Sequence, residues 1–221
     1  MGTMTLEEWF LSIKKMLEDA YLSHEEPWRQ SGMSGPLERW VSLRKPVADC
    51  MDRSGSFLDI GCANGYLLEC CIKWTAERHI NIEPYGVDIS EKLVELAIHR
   101  LPQYKDNFFV GNAFTWLPPR RFDFVRTELV YVPAEHEKQY VEFILKNYLN
   151  PGAKLLVANY GEGLTQPEIE RGIMKGSHIT SEILPRLREL GFTPIDHKDG
   201  YDPIKNRKVR IAILTRESLL T

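Results

Sequence analysis

The order of apolar and polar residues along the chain changes its period near residue 56. Before that point, apolar residues recur every three or four positions. Leu6–Tyr21 predicts an amphipathic helix that begins at a capping box formed by Thr5 and Glu8. Residues 37–51 predict helical structure in which Pro46 opens a second helix. After residue 56, short apolar runs alternate with amphipathic stretches, which is typical of βαβ units and a parallel sheet.

The second part of the chain predicts strands and helices in alternation. The predicted strands are 56–60, 84–87, 108–110, 122–126, 154–159, 193–197 and 209–214. The predicted helices are 65–78, 90–101, 134–149 and 181–190, with a polar loop at 161–177. No helical stretch separates the last two strands, so we expect them to pair antiparallel. The pattern therefore predicts an α/β protein with a doubly wound, seven-stranded, mostly parallel sheet, an antiparallel C-terminal hairpin and an N-terminal helical cap.

Composition narrows the class of protein further. The chain has 221 residues, of which 43% are hydrophobic, and its 28 Lys and Arg nearly balance 31 Asp and Glu. This excludes a disordered chain. No apolar run approaches the roughly 20 residues that cross a bilayer. A net charge of −3 disfavours a protein that neutralises many nucleic-acid phosphates. We expect no membrane or nucleic-acid partner, and the oligomeric state stays open.

The four cysteines indicate the redox compartment. Cys50, Cys62, Cys70 and Cys71 lack C-x-x-C spacing, and the first 20 residues lack the apolar core of a signal peptide. We therefore expect a cytoplasmic protein whose cysteines form no disulfide framework and hold no metal.

The strongest candidate for a ligand site is the segment 57–65, FLDIGCANG. A strand enters a glycine turn and then a helix, which places backbone N–H groups at the carboxyl end of the sheet. A dinucleotide site needs G-x-G-x-x-G, but positions 61, 63 and 66 are Gly, Ala and Tyr. Asp59 also repels a pyrophosphate. The segment therefore favours a cationic ligand over a nicotinamide dinucleotide.

The pattern D-x-G-x-x-x-G from Asp59 to Gly65 resembles motif I of the class I S-adenosylmethionine-dependent methyltransferases, with Ala63 replacing the usual middle glycine. A second strand that ends in Asp88 and a third element at 109–114 follow in the order of that family. The resemblance implies a Rossmann-like methyltransferase domain at 37–221, an N-terminal helical cap at 1–36, and S-adenosyl-L-methionine as the cofactor.

The resemblance also implies which residues bind that cofactor. They are Asp59, Gly61, Cys62, Asn64, Gly65, Asp88, Ile89, Asn112, Ala113 and Phe114. Asp88 is expected to accept both ribose hydroxyls and Ile89 to pack on the adenine, while Cys62 offers only its backbone. In the family, an acidic residue at this position commonly accepts a hydrogen bond from the adenine amino group. Asn112 replaces that acid, and its side-chain amide oxygen accepts the same kind of hydrogen bond. From its position in the loop 24–35, we further expect Arg29 to meet the cofactor's carboxylate.

Candidate catalytic residues follow the fourth strand. Glu128 is either a base or acceptor-orienting carboxylate, or the partner of Arg126 in an ion pair. His136 is either a catalytic group or a solvated residue at the start of a helix. Tyr131 and Tyr160 either line the acceptor pocket or pack in the core or rim.

These features predict a methyltransferase that transfers a methyl group to the oxygen or nitrogen of a small-molecule acceptor. The segment 127–130 reads TELV and lacks the Asn/Asp-Pro-Pro-Tyr pattern of enzymes that methylate exocyclic amino groups of bases. Two other functions stay open, namely a catalytically silent cofactor-binding or regulatory module and a nicotinamide-dependent oxidoreductase.

Overall fold

The structure is a computed structural model, and it describes residues 5–32, 35–174 and 182–218. The helices are α1 (Leu6–Tyr21), α2 (Leu37–Asp49), α3 (Tyr66–Ala76), α4 (Glu91–Arg100), α5 (Glu137–Asn147), α6 (Gln166–Met174) and α7 (Ile183–Glu189). The strands are β1 (Gly55–Ile60), β2 (Ile82–Asp88), β3 (Phe108–Val110), β4 (Phe122–Thr127), β5 (Leu149–Asn159), β6 (Asp196–Asp202) and β7 (Arg207–Leu214).

The strands of the described residues form one seven-stranded sheet in the order β3-β2-β1-β4-β5-β7-β6. Strands β1 to β5 pair parallel, whereas β7 is antiparallel to β5 and β6 is antiparallel to β7. This arrangement confirms the predicted fold class and its C-terminal hairpin. The strand order reverses between β1 and β4, and open α/β sheets bind ligands in the crevice beyond the carboxyl ends at such a point.

Each face of the sheet buries its own apolar cluster. Leu58 and Ile60 of β1 pack on the face that carries Tyr140 and Ile144 of α5. Phe57 points to the opposite face, where Trp40 of α2 and Leu68 of α3 cover it. The alternation along β1 therefore fixes which side chains reach each helical layer. None of the described helices has both the length and the apolar character needed to cross a membrane.

Local signals explain where helices begin. Glu8 N–H donates to Thr5 Oγ1 at 3.2 Å and Thr5 N–H donates to Glu8 Oε2 at 2.8 Å, so the predicted capping box at α1 is confirmed. Before α6, the Thr165 N–H and hydroxyl both donate to Glu168 Oε2, at 3.0 and 2.8 Å, which is one half of such a box. Helix α6 thus lies inside the polar loop predicted at 161–177. That prediction was wrong because this capping signal was overlooked.

The α2 region and the C-terminal hairpin also differ from the prediction. Pro46 lies inside one continuous helix rather than opening a second. Strand β6 covers Asp196–Asp202, three residues later than the predicted strand start, although most of its side chains are polar and exposed. The reason is tertiary: α2 packs on β6 where Gly200 leaves room, since a Cβ there would lie 2.6 Å from Pro46 Cγ.

A buried ion pair joins α2 to the hairpin. Arg39 Nε donates to Asp202 Oδ1 at 3.0 Å, and Arg39 Nη2 donates to Asp202 Oδ2 at 2.7 Å. The two side chains are 6% and 2% exposed. Burial opposes ionisation of Asp202, but the bonds from Arg39 and from the backbone N–H groups of Lys205 and Ile204 hold its pKa at about 2.

We predict that Asp202→Asn lowers the free energy of unfolding by about 3 kcal/mol at pH 7, because the buried guanidinium loses its counterion. The pKa of Asp202 is depressed on folding, so its stabilisation is complete above pH 4 and disappears as the pH falls through about 2. Urea unfolding followed by circular dichroism at several pH values measures both effects. Asp19→Asn, which breaks an exposed pair with Lys15, is the control and should cost less than about 0.5 kcal/mol. A difference between wild type and Asp202→Asn that does not shrink between pH 4 and pH 2 would contradict the prediction.

Candidate functional site

The loop between β1 and α3 forms the floor of the site. Gly61, Ala63 and Gly65 all have positive φ, at 70°, 47° and 72°. Gly61 is required because a Cβ there would lie 2.7 Å from the ring of Tyr131. The loop is tied to β2 by the N–H groups of Gly61 and Cys62, which donate to the Val87 carbonyl at 2.8 and 3.2 Å. The predicted strand–turn–helix geometry is therefore present.

Two side chains of this loop are held by contacts with neighbouring segments. The Asn64 amide donates to the Pro27 carbonyl and to Gln30 Oε1, both at 3.0 Å, and so fastens the loop to the segment before α2. The thiol of Cys62 is buried against Gly86, and burial raises its pKa well above the usual range. Cys62 is therefore held as a neutral packing group, which agrees with a role limited to its backbone.

Asp88 closes the end of β2. Its Oδ2 accepts the Ala63 N–H and its Oδ1 accepts the Ser90 N–H, each at 2.9 Å. Burial raises the pKa of this carboxyl, while these backbone bonds oppose the rise. Asp88 lines both of the cavities described next, so it lies at the boundary between them.

The smaller cavity, about 60 Å³, lies beyond β2 and β3. It is lined by Ile89, Asn112 and Ala113, and α1 covers it with Phe10, Ile13 and Leu17. Asn112 Oδ1 accepts the Phe114 N–H at 3.0 Å, which shapes the turn after β3. Phe114 itself lies farther out, against a groove that it shares with Leu6 and Phe10.

The larger cavity, about 260 Å³, lies beyond β1 and β4. Its charged wall is organised by Arg126, which is 3% exposed. Arg126 Nη1 donates to Asp59 Oδ1 at 3.1 Å and to the Tyr131 hydroxyl at 2.8 Å. Its Nη2 donates to Glu128 Oε1 and to the Tyr160 hydroxyl at 3.3 Å. The ion pair between Glu128 and Arg126, which was one of the two alternatives for this glutamate, is therefore present. Glu128 also lines the larger cavity.

Burial controls the protonation of the other groups on this wall. It raises the pKa of Asp59 to about 6, against the opposing charge and hydrogen bond of Arg126. It raises the pKa of Tyr21 to about 12, helped by the negative charge of Glu128, and raises that of Tyr131 well above its usual range. The phenols of Tyr21 and Tyr131 are therefore neutral at neutral pH.

Arg44 is a site residue that the sequence analysis missed. It is buried, lies 3.5 Å from the centroid of the Tyr160 ring and donates from Nη2 to the Ser31 carbonyl at 3.4 Å. Its Nη1 is buried without a hydrogen-bond partner among the described residues. The signal was present, because Arg44 shares the apolar face of α2 with Trp40, Val47 and Ala48 at helical spacing.

Two predicted site residues lie elsewhere. Arg29 begins a short 3₁₀ turn, lies 3.9 Å from Glu26 and has a buried Nε without a hydrogen-bond partner among the described residues. It does not line either cavity. His136 precedes α5, with its ring 5.4 Å from that of Phe114 and outside both cavity linings. Tyr131 and Tyr160, for which packing was the alternative, both line the larger cavity.

Helix α1 covers both cavities but is itself little buried. Phe10 is its one residue in the buried core among those described. At its C-terminal half, Glu18 accepts the Ser90 hydroxyl at 2.8 Å and binds Lys92 Nζ at 2.9 Å. These contacts hold α1 against the start of α4, directly above Asp88.

Sequence comparison identifies no matching family model and no matching curated protein. Solved structures do match. N-methyltransferase NodS from Bradyrhizobium japonicum WM9, with S-adenosylhomocysteine bound, has a TM-score of 0.66 at 15% identity over 91% of this chain and 96% of its own. The 1,6-didemethyltoxoflavin-N1-methyltransferase of Burkholderia thailandensis has a TM-score of 0.67 at 15% identity, over 97% and 92%. Magnesium protoporphyrin IX methyltransferase from Synechocystis PCC 6803 has a TM-score of 0.64 at 16% identity, over 94% and 99%.

At these identities the likeness establishes the architecture of the chain rather than its activity. The match extends over nearly the whole length of both partners in each comparison. The chain therefore has the fold of the S-adenosylmethionine-dependent methyltransferases, as the resemblance of its motifs implied.

Proposed function

We propose that this chain is an S-adenosylmethionine-dependent methyltransferase that acts on a small-molecule acceptor. The observation that carries the proposal is the pair of cavities that meet at Gly61, Asp88 and Tyr131. One cavity is apolar and lies beyond β2 and β3, whereas the other is charged and lies beyond β1 and β4. A ligand with an adenosine half and an amino-acid half matches this division.

The side chains that line the smaller cavity suit the adenosine half. Ile89 and Ala113 supply apolar contacts for a flat base, and the oxygen of Asn112 is an acceptor for an amino group. The Asp88 carboxylate lies where the two cavities meet, and a carboxylate is suited to two adjacent ribose hydroxyls. Backbone N–H groups hold both of its oxygens in place.

The larger cavity fits the amino-acid half. The unpartnered Nη1 of Arg44 is a buried donor that lacks an anion, and the cofactor's carboxylate supplies one. We therefore assign the carboxylate to Arg44 in place of Arg29. The ammonium group is accommodated by a wall that includes the carboxylates of Asp59 and Glu128.

When bound, S-adenosylmethionine supplies a methyl group that its sulfonium activates for displacement. The residues common to both cavities, Tyr131 among them, surround the point where the two halves of such a ligand join. Tyr131 donates its hydroxyl hydrogen to Glu128 Oε1 at 3.0 Å, which orients the carboxylate. Glu128 is then the base that receives the acceptor's proton, and α1 excludes water from above.

A small acceptor is favoured by the enclosure of the site. The larger cavity measures about 260 Å³ and has Ile13, Met16 and Leu17 of α1 as its outer wall. Pockets for drug-sized ligands span about 300–1,000 Å³. The Burkholderia neighbour holds 1,6-didemethyltoxoflavin, a small molecule, in the same fold.

The decisive experiment combines binding with turnover. We expect S-adenosylhomocysteine, but not NAD, to stabilise the protein, by about 2.7 kcal/mol at 100 times its Kd. We then expect label from methyl-labelled S-adenosylmethionine to enter a small-molecule extract. Binding without incorporation into any metabolite would instead support a catalytically silent module, and stabilisation by NAD would support an oxidoreductase.

We predict that Asp88→Asn raises the Kd for S-adenosylhomocysteine about 100-fold, close to 3 kcal/mol, because ribose hydroxyls lose a charged acceptor. Isothermal titration calorimetry measures the change. Asp123→Asn is a matched control, since Asp123 likewise accepts a backbone N–H, from Ser56, but at the opposite end of the strands. Equal weakening by both variants would indicate a general loss of structure.

We predict that Arg44→Met raises the Kd for S-adenosylhomocysteine by about 10- to 100-fold, because a charged hydrogen bond is worth about 1.5–3 kcal/mol. The same variant should bind 5′-methylthioadenosine, which lacks the amino-acid group, as well as the wild type does. Arg29→Met serves as the comparison and should leave both affinities unchanged. If Arg29→Met weakens S-adenosylhomocysteine selectively, the carboxylate belongs to Arg29 as the sequence analysis expected.

A further inference from the structure

We propose that the methyl acceptor is uncharged when it enters the site and carries an O–H or N–H whose proton passes to Glu128. This inference rests on the proposed function and extends it to the chemical class of the substrate. It excludes acceptors that are carboxylates, phosphates or protonated amines at neutral pH. Charged side chains surround the larger cavity and restrict the charge of a molecule that enters it.

Five formally charged side chains of both signs line that cavity. Asp59, Asp88 and Glu128 are acids, whereas Arg44 and Arg126 are bases. The phenols of Tyr21 and Tyr131 stay neutral, as does the thiol of Cys62, because burial raises their pKa values. At their formal charges, the three acids and two bases of the described lining sum to one negative charge, 2 − 3 = −1.

Among the residues that the structure describes, the remaining wall offers no further counterion. Ile13, Met16, Leu17 and Val130 are apolar and face the same space. The side chains of Arg126 and Asp59 are 3% and 2% exposed, and that of Glu128 is 16% exposed, so water screens these charges poorly. An additional unpaired charge in such a place is strongly disfavoured.

S-adenosylmethionine carries one net positive charge, from its sulfonium, ammonium and carboxylate groups. This balances the single negative charge of the lining, so that the protein with the cofactor bound has a neutral site. An uncharged acceptor preserves that neutrality. An anionic acceptor adds a negative charge with no partner, and a cationic acceptor adds a positive one.

The same balance holds through the reaction. A lone pair on the acceptor oxygen or nitrogen forms the new bond to the methyl carbon, and the electrons of the carbon–sulfur bond remain on sulfur. The acceptor's proton moves to Glu128. Both of Glu128's hydrogen bonds in the described structure fall on Oε1, which leaves Oε2 to receive the proton. Lining, S-adenosylhomocysteine and methylated product are then each neutral.

The charge of the lining is tested first by binding alone. Sinefungin, in which a protonated amine replaces the methylsulfonium, has the net charge of S-adenosylmethionine, whereas S-adenosylhomocysteine is neutral. In calorimetric titrations of the wild type, we expect sinefungin to bind about 10-fold more tightly than S-adenosylhomocysteine. In Glu128→Gln, we expect that ratio to fall to about 3 or less.

Glu135→Gln, an exposed carboxylate just before α5, is the control and should keep the wild-type ratio. A ratio that is unchanged in Glu128→Gln would overturn the charge argument. Failure of both ligands to bind the wild type would instead refute the proposed function. Circular dichroism of each variant establishes that it is folded.

The class of acceptor is tested by fractionating a small-molecule extract at pH 7 on anion and cation exchangers. Each fraction is incubated with the wild-type enzyme and methyl-labelled S-adenosylmethionine. Incorporation into the fraction that passes both exchangers supports the proposal. Incorporation confined to an acceptor retained by either exchanger overturns it. Incorporation into no fraction, with sinefungin binding intact, refutes the enzymatic function on which the proposal rests.

Discussion

The buried guanidinium of Arg126 holds the charged half of the site together. Register places Arg126 on β4 directly beside Asp59 on β1, so that this contact is a property of the sheet itself. From there its two terminal nitrogens reach Tyr131, Glu128 and Tyr160, which lie on segments after β4 and β5. Burying an arginine costs several kcal/mol unless its N–H groups are paired. Its two terminal nitrogens are paired only when all these segments adopt the observed positions together, although its Nε is buried without a partner among the described residues. The arginine therefore couples the strand ends to one another.

This network changes the meaning of the aspartate in the glycine motif. The sequence favours a cationic ligand at Asp59, because this carboxylate repels a pyrophosphate. Here Arg126 pairs with both Asp59 and Glu128, so one guanidinium is shared between two carboxylates on the same wall. Asp59 therefore keeps its position at the end of β1, while Arg126 on the neighbouring strand reduces the negative charge that Asp59 presents to a ligand.

The parts of the molecule that were predictable from sequence are those specified by local patterns. The capping box at Thr5, the loop at 57–65 and the strand ending at Asp88 each follow from residues close together in the chain. Arg44 and strand β6 depend on residues that are distant in sequence. Arg44 packs on the ring of Tyr160, and the polar strand β6 packs against α2 at Gly200. No local period encodes such contacts. Helix α6 is different, because its threonine–glutamate capping signal was local and was overlooked.

Helix α1 has few contacts of its own, with Phe10 alone in the described core and Glu18 bound at the start of α4. Its inner face, Ile13 and Leu17, borders the cavities rather than a packed interior. A molecule in those cavities would therefore supply part of the hydrophobic surface that this helix otherwise lacks. By thermodynamic linkage, a ligand that binds more tightly when α1 is ordered also stabilises the ordered helix, and by the same free energy. A substitution on the outer surface of the helix that alters its helical propensity would change affinity without touching the ligand.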